Sequence, residues 1–138
     1  MPVRLLTPHT LPTTPTHHQV AVSSGSQMVF IAGQVALDAS GAHVGGDDVA
    51  AQVEQCYLNV AAALGAVGAT FDDVVKLTAY VTDLDPAVLP QFGDGVARAC
   101  DRLGIAPPMA PLTGIGVAAL AEPEFRVEIE AVAVLARR

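Results

Sequence analysis

The hydrophobic pattern of this chain changes period several times, and each change marks an element. Val49, Val53, Cys56, Val60, Leu64 and Val67 recur at steps of four and three, which is one stripe along a helix. Asp47 or Asp48 can cap its start, and Gly68 is a natural stop. A second helix is expected over 88–103, although Pro90, Gly93 and Gly95 weaken it and a start at Pro90 fits better. Met28 to Ala32 is a continuous apolar run, as in a buried strand. Gly33 and Gln34 follow it, where the backbone is expected to come close to another group. Val35-Ala36-Leu37 reads as a further strand before a hairpin turn at Asp38 to Gly41. β-branched and aromatic content marks Val74 to Val81 as a strand, and Leu112 to Leu120 reads as a Gly-containing one. His17 to Val22 alternates weakly and is a candidate first strand.

The last strand, Arg126 to Val134, is the most informative. Successive strand residues point to opposite faces. Val127, Ile129, Ala131 and Ala133 therefore share a core face, and Glu128, Glu130, Val132 and Val134 share the other. Two acids beside valines suggest a face partly covered by a second subunit or by a pocket. The order β-β-β-α-β-α-β-β predicts a single α+β domain over 17–138, preceded by an extended Pro/Thr-rich arm at 1–16. Two helices cannot cover both faces of a six-stranded sheet, so they are expected on one face, with the other left open.

Composition narrows the function classes. Apolar residues make up 51% of the 138 and charged residues 15%, which is rich for a small monomer and points to apolar surface buried between subunits. The net charge of −7, from 14 acids and 7 bases, leaves no basic cluster to neutralise phosphates, so a nucleic-acid partner is not expected. Arg137-Arg138 is only a terminal pair. The start of the chain has no apolar leader core and contains four prolines. No run approaches the ~20 apolar residues of a membrane span. A cytoplasmic protein without a membrane partner is the expectation. Cys56 and Cys100 fall in helical patterns and read as small buried hydrophobes.

Glu128 and Glu130 lie roughly 7 Å apart along a strand, which overlaps the carboxylate spacing of inverting glycosidases. Sugar sites favour aromatic platforms, and this chain has no Trp and only 4% aromatics. Interface carboxylates, bonded to a neighbour's backbone or to Lys76, stand level with a catalytic role for either acid taken alone. His17 and His18 are adjacent and would point apart, while His9 and His43 sit in flexible-looking positions, so a metal site is not expected. Ser23, Ser24 and Ser26 lack a nucleophile elbow, and no phosphate-binding glycine loop precedes a helix.

Three stretches together resemble a known family. Phe30-Ile31-Ala32-Gly33-Gln34, the run Asp73 to Leu84, and Val127-Glu128-Ile129-Glu130-Ala131-Val132-Ala133 resemble, in order, the signature stretches of the RidA/YjgF reactive-intermediate deaminases, often labelled endoribonuclease L-PSP. The likeness runs from about Gln19 to Val134. It implies a chorismate-mutase-like α+β fold assembled as a homotrimer, with three clefts between subunits. Active members hydrolyse enamine and imine intermediates to keto acids and ammonia without a cofactor. In them an arginine holds the substrate carboxylate in a two-pronged pair, and a glutamate positions or activates water.

Carried onto this chain, the glutamate falls on Glu128 and the backbone segment on Gly33-Gln34, preceded by Ala32 where active members commonly have serine. The first-strand aromatic falls near His17 or Gln19, and a polar residue of the second helix falls near Gln91. The departure is the arginine. Counting back from Val117-Ala118-Ala119-Leu120 places Leu112 there, followed by Thr113, and the stretch 103–125 contains no Arg or Lys. Arg98, Arg102 or Arg126 would have to reach in from other elements. The resemblance thus implies either a deaminase with altered substrate choice or a non-catalytic trimer that binds a small ligand or regulates a partner. The ribonuclease of the old label conflicts with the net charge of −7.

Overall fold

The computed structural model describes residues 3–136. Its elements in chain order are β1 (Val3–Leu6), β2 (Val20–Ser23), β3 (Gln27–Gln34), α1 (Val49–Ala66), β4 (Val74–Thr82), α2 (Val88–Leu103), β5 (Leu112–Val117) and β6 (Val127–Leu135), with a 3-10 turn at Phe71–Asp73 leading into β4. Six strands are present, but they form two sheets. A mixed four-stranded sheet runs β3-β6-β4-β5, with β4 and β5 parallel and the other neighbours antiparallel. β1 and β2 pair separately as an antiparallel ribbon.

Strand membership also corrects the sequence expectation. Val35-Ala36-Leu37 forms no strand; only Leu37 bridges, to His43, around a turn in which the Asp38 carboxylate accepts from the backbone N–H groups of Ser40 and Ala42. The sixth strand comes instead from Val3–Leu6, within the segment read as an arm, where Val3 pairs with Ser23 and is buried. Met1 and Pro2 of that arm lie outside the described residues, as does the Arg137-Arg138 pair.

α1 forms where its stripe predicts. Asp48 caps it by accepting from the Ala51 N–H, and Val49, Val53, Cys56, Val60 and Leu64 are buried against the sheet. α2 starts at Val88, two residues before Pro90. The proline sits in the first turn, where its missing N–H removes no intrahelical bond. Gly104 ends the helix in the left-handed conformation (φ 68°). α2 packs on α1 at Gly95, where a Cβ would stand 2.5 Å from the Ala50 carbonyl oxygen.

The alternation of β6 is realised as expected. Val127, Ile129, Ala131 and Ala133 are sealed in the core, Val127 and Ile129 each worth about 1.5–3 kcal/mol when buried and the two alanines less. Glu128, Glu130 and Val132 are half-buried on the other face. No helix among the described residues is long and apolar enough to cross a membrane.

Candidate functional site

Glu128 stands where β3 breaks register with β6. Ile31 pairs with Ala131 and Gln34 with Ile129, so β3 carries one extra residue across Ala32 and Gly33. Such a bulge re-aims the backbone. Here it brings Gly33 against the Glu128 side chain so closely that a Cβ on Gly33 would lie 1.8 Å from Oε2. Only glycine leaves room for the carboxylate, which is the close approach the Gly-Gln segment suggested. The Gln34 side chain folds back to donate to the Ala32 carbonyl at 3.0 Å.

The open face extends across the sheet from Glu128. Tyr80 pairs with Glu128 in register and donates its hydroxyl to Glu130 Oε1. That bond raises the Tyr80 pKa, with desolvation and the charges of Glu130 and Glu128 acting in the same direction. Lys76 donates to the Thr113 hydroxyl on β5, so within one subunit Lys76 is not the partner of either acid. Met28 and Phe30 of β3, opposite Val134 and Val132, are 61% and 71% exposed on this face.

Leu112 lies elsewhere. It pairs with Leu77, a buried core residue, and therefore faces the helices, whereas its neighbour Thr113 pairs with Thr78 on the open face. Leu112 lines a cavity of about 540 Å³ together with His17, Phe92 and Gly114. Among the predicted site residues, the fold thus makes two groups: Ala32, Gly33, Gln34, Thr113 and Glu128 in or beside the open sheet, and His17 and Leu112 around the helix-side cavity. Gln91 joins neither; it is exposed on α2, its amide donating at 3.4 Å to the Ala87 carbonyl.

None of the three candidate arginines lines the cavity. Arg102 bonds to Glu54 at 3.2 Å, and Arg126 is held at Thr82 through its hydroxyl and carbonyl oxygens. Cys56 and Cys100 are buried free thiols, as their pattern predicted. Burial pushes the Cys56 thiol up to about 12, with the Glu128 charge adding to it, so it stays protonated.

Two features escaped sequence reading. Buried Gln52 ties three backbone groups together, donating to Gly46 and Glu124 carbonyls at 2.7 and 2.9 Å and accepting from the Arg126 N–H at 2.9 Å. A lone polar residue within an apolar helical stripe was its one available signal. His43 also has tertiary partners: its ring stacks on Phe125 at 5.2 Å, and Nε2 lies 3.1 Å from Glu122 Oε1. Glu124 joins them, with the three ligand-capable groups within 4.8 Å and all exposed.

The chain belongs to the Endoribonuclease L-PSP family, the Rid/YjgF proteins, whose profile matches residues 9–135. It is 32% identical over 112 residues to the RutC family protein YjgH of Escherichia coli K12, covering 81% of this chain and 79% of that one. The crystal structure of YyfB from Yersinia pestis, a Rid-family protein of unknown function, aligns at a TM-score of 0.86 and 38% identity, over 98% of this chain and all of that one. E. coli TdcF with bound serine aligns at a TM-score of 0.65 and 26% identity, covering 96% and 99% of the two chains.

Proposed function

We propose that this protein is a hydrolytic deaminase of small enamine and imine intermediates whose substrate choice departs from carboxylate-bearing compounds. Glu128 takes a proton from a bound water as the water oxygen attacks the imine carbon. The C=N bond becomes the single bond of a carbinolamine. The proton held by Glu128 passes to the nitrogen to complete the carbinolamine; the hydroxyl then gives its proton, by way of Glu128, to the same nitrogen, the C–N bond breaks, ammonia leaves and the carbon keeps the oxygen as a carbonyl. One imine and one water give one carbonyl and one ammonia, so no oxidant or cofactor enters.

The observation that carries this reading is the seat of Glu128 against the bulge at Gly33, which leaves its carboxylate beside backbone instead of in an ion pair. The altered choice rests on Leu112. A carboxylate brought to the cavity it lines would meet no cation, and an unpaired buried charge costs several kcal/mol. Because Leu112 and Glu128 lie on opposite faces, we take the complete site to form between copies, in the clefts of a homotrimer. The exposed Met28 and Phe30 support a covered sheet face, and serine bound to the relative TdcF supports small-molecule binding on this fold.

The test is ammonia release from 2-iminopropanoate and from imines without a carboxylate, with Glu128→Ala as control. The expected result is turnover of the uncharged imines, lost in Glu128→Ala. The vacancy at Leu112 also favours a second reading, a non-catalytic trimer that binds a small ligand or regulates a partner. Turnover of neither imine class would leave that reading standing alone.

A further inference from the structure

α2 rests on α1 but stands off from β4 and β5, and the gap between is the 540 Å³ cavity. Among the residues that line it, only Thr16, His17 and Tyr57 carry a polar side-chain atom, and none carries a formal charge apart from what His17 would gain on protonation. A dry apolar cavity of roughly 150 Å³ is enough to take benzene. This one is more than three times larger and falls within the roughly 300–1,000 Å³ of ligand pockets.

Two glycines indicate that the space is kept open. Gly95 of α2 has a packing reason, since a Cβ there would lie 2.5 Å from Val53 Cβ on α1. Gly93 has none: it is helical, a Cβ would meet nothing within 4 Å, and it lines the cavity. Gly114, inside β5 on the opposite wall, is in the same situation. Glycine is the poorest helix former after proline and weakens a strand interior. At both positions local stability is given up, and what the missing side chain leaves is room.

We propose that this cavity receives an uncharged, mainly apolar group of aromatic-ring size, and that this group replaces the carboxylate as what the protein recognises. Leu89, 62% exposed, borders the way in. His17, its Nδ1 bonded to the Thr16 hydroxyl at 2.9 Å, is the polar wall residue for a ligand hydroxyl or carbonyl. The cavity's role as a substrate side-group pocket rests on the functional reading above, while ligand binding to it is measurable without turnover.

The experiment is a fluorescence titration with the neutral apolar probe N-phenyl-1-naphthylamine, followed by displacement with indole and with indole-3-carboxylate near neutral pH. Indole is expected to displace the probe at a concentration at least tenfold lower than its carboxylate counterpart. Gly93→Leu, which fills the space, should weaken probe binding at least tenfold. Should that variant misfold, Gly93→Ala and Gly114→Ala serve: both should weaken binding two- to threefold, and Gly93→Ala should raise Tm. Leu112→Arg should shift the preference toward the carboxylate. Probe binding without ammonia release would retire the deaminase and keep the cavity. Equal displacement by the two indoles, or unchanged binding in the filled variants, would overturn the proposal even if ammonia is released.

Discussion

Leu112 and Glu128 face away from each other across one sheet. The register decides this: Leu112 pairs with buried Leu77 on β4, whereas Glu128 pairs with Tyr80, and Leu77 and Tyr80 lie on opposite faces. A single subunit therefore offers a carboxylate on one side and an apolar cavity on the other. The consequences are testable at several positions.

Gly33→Ala should act on Glu128 rather than on the fold. The new methyl would meet Oε2, Cδ and Cγ of Glu128, the movable end of a side chain, so the carboxylate swings aside. The stability cost should be about 1 kcal/mol or less. Ammonia release should fall nearly as far as in Glu128→Ala. Full activity in Gly33→Ala, measured alongside a urea melt, would mean that the seat of Glu128 is not what matters.

Gln52→Leu should be strongly destabilising although it keeps the side-chain bulk. It removes the hydrogen bonds by which this buried side chain ties the carbonyls of Gly46 and Glu124 and the N–H of Arg126 together, three part-buried tethers lost at once. A loss of about 2–4 kcal/mol is expected, read from the urea midpoint with the slope unchanged.

Stability should fall on the alkaline side. The Cys56 thiol, ordinarily near 9.0, is held up to about 12 by burial. A group raised on folding binds its proton more tightly in the native state, so its contribution is whole below the unfolded pKa and is lost as pH rises toward the folded one. Tyr57, raised chiefly by burial, and Tyr80, raised chiefly by its bond to Glu130, act with the same sign at higher pH. The urea midpoint should drop between about pH 8.5 and about pH 11. Cys56→Ala starts lower, because it leaves a small void, but should lose less over that interval. An identical decline in the variant would assign the effect to other groups.

Phe30→Glu should leave a folded subunit that no longer associates. Phe30 is 71% exposed on the open face beside Val132 and contributes nothing to the core. Light scattering should give three times 14.1 kDa for the parent chain and 14.1 kDa for the variant. A parent already monomeric at micromolar concentration would remove the shared cleft.

Much of this was legible in the order of residues. The α1 stripe, the alternation of β6 and the turn at Asp38 follow from periods and turn chemistry, which act over neighbouring residues and need no partner to be specified. Glu128 on a non-core face and a glycine at close approach in Gly33 were also visible, because strand direction and the missing Cβ are local properties. Non-local pairing was not. The choice of Val3–Leu6 over Val35–Leu37 as the sixth strand depends on which distant backbone offers hydrogen bonds, and Val20–Ser23 supplies them. The bulge that seats Glu128, the three backbone groups gathered by Gln52, and the opposition of Leu112 to Glu128 likewise arise from register between strands far apart in sequence. The cavity too is a matter of packing between distant elements, since it lies between the sheet and α2, which packs on α1 at Gly95. The chain by itself determined its elements and the chemistry of each face; only the tertiary structure decided which residues meet, because contact is a matter of register and packing between elements.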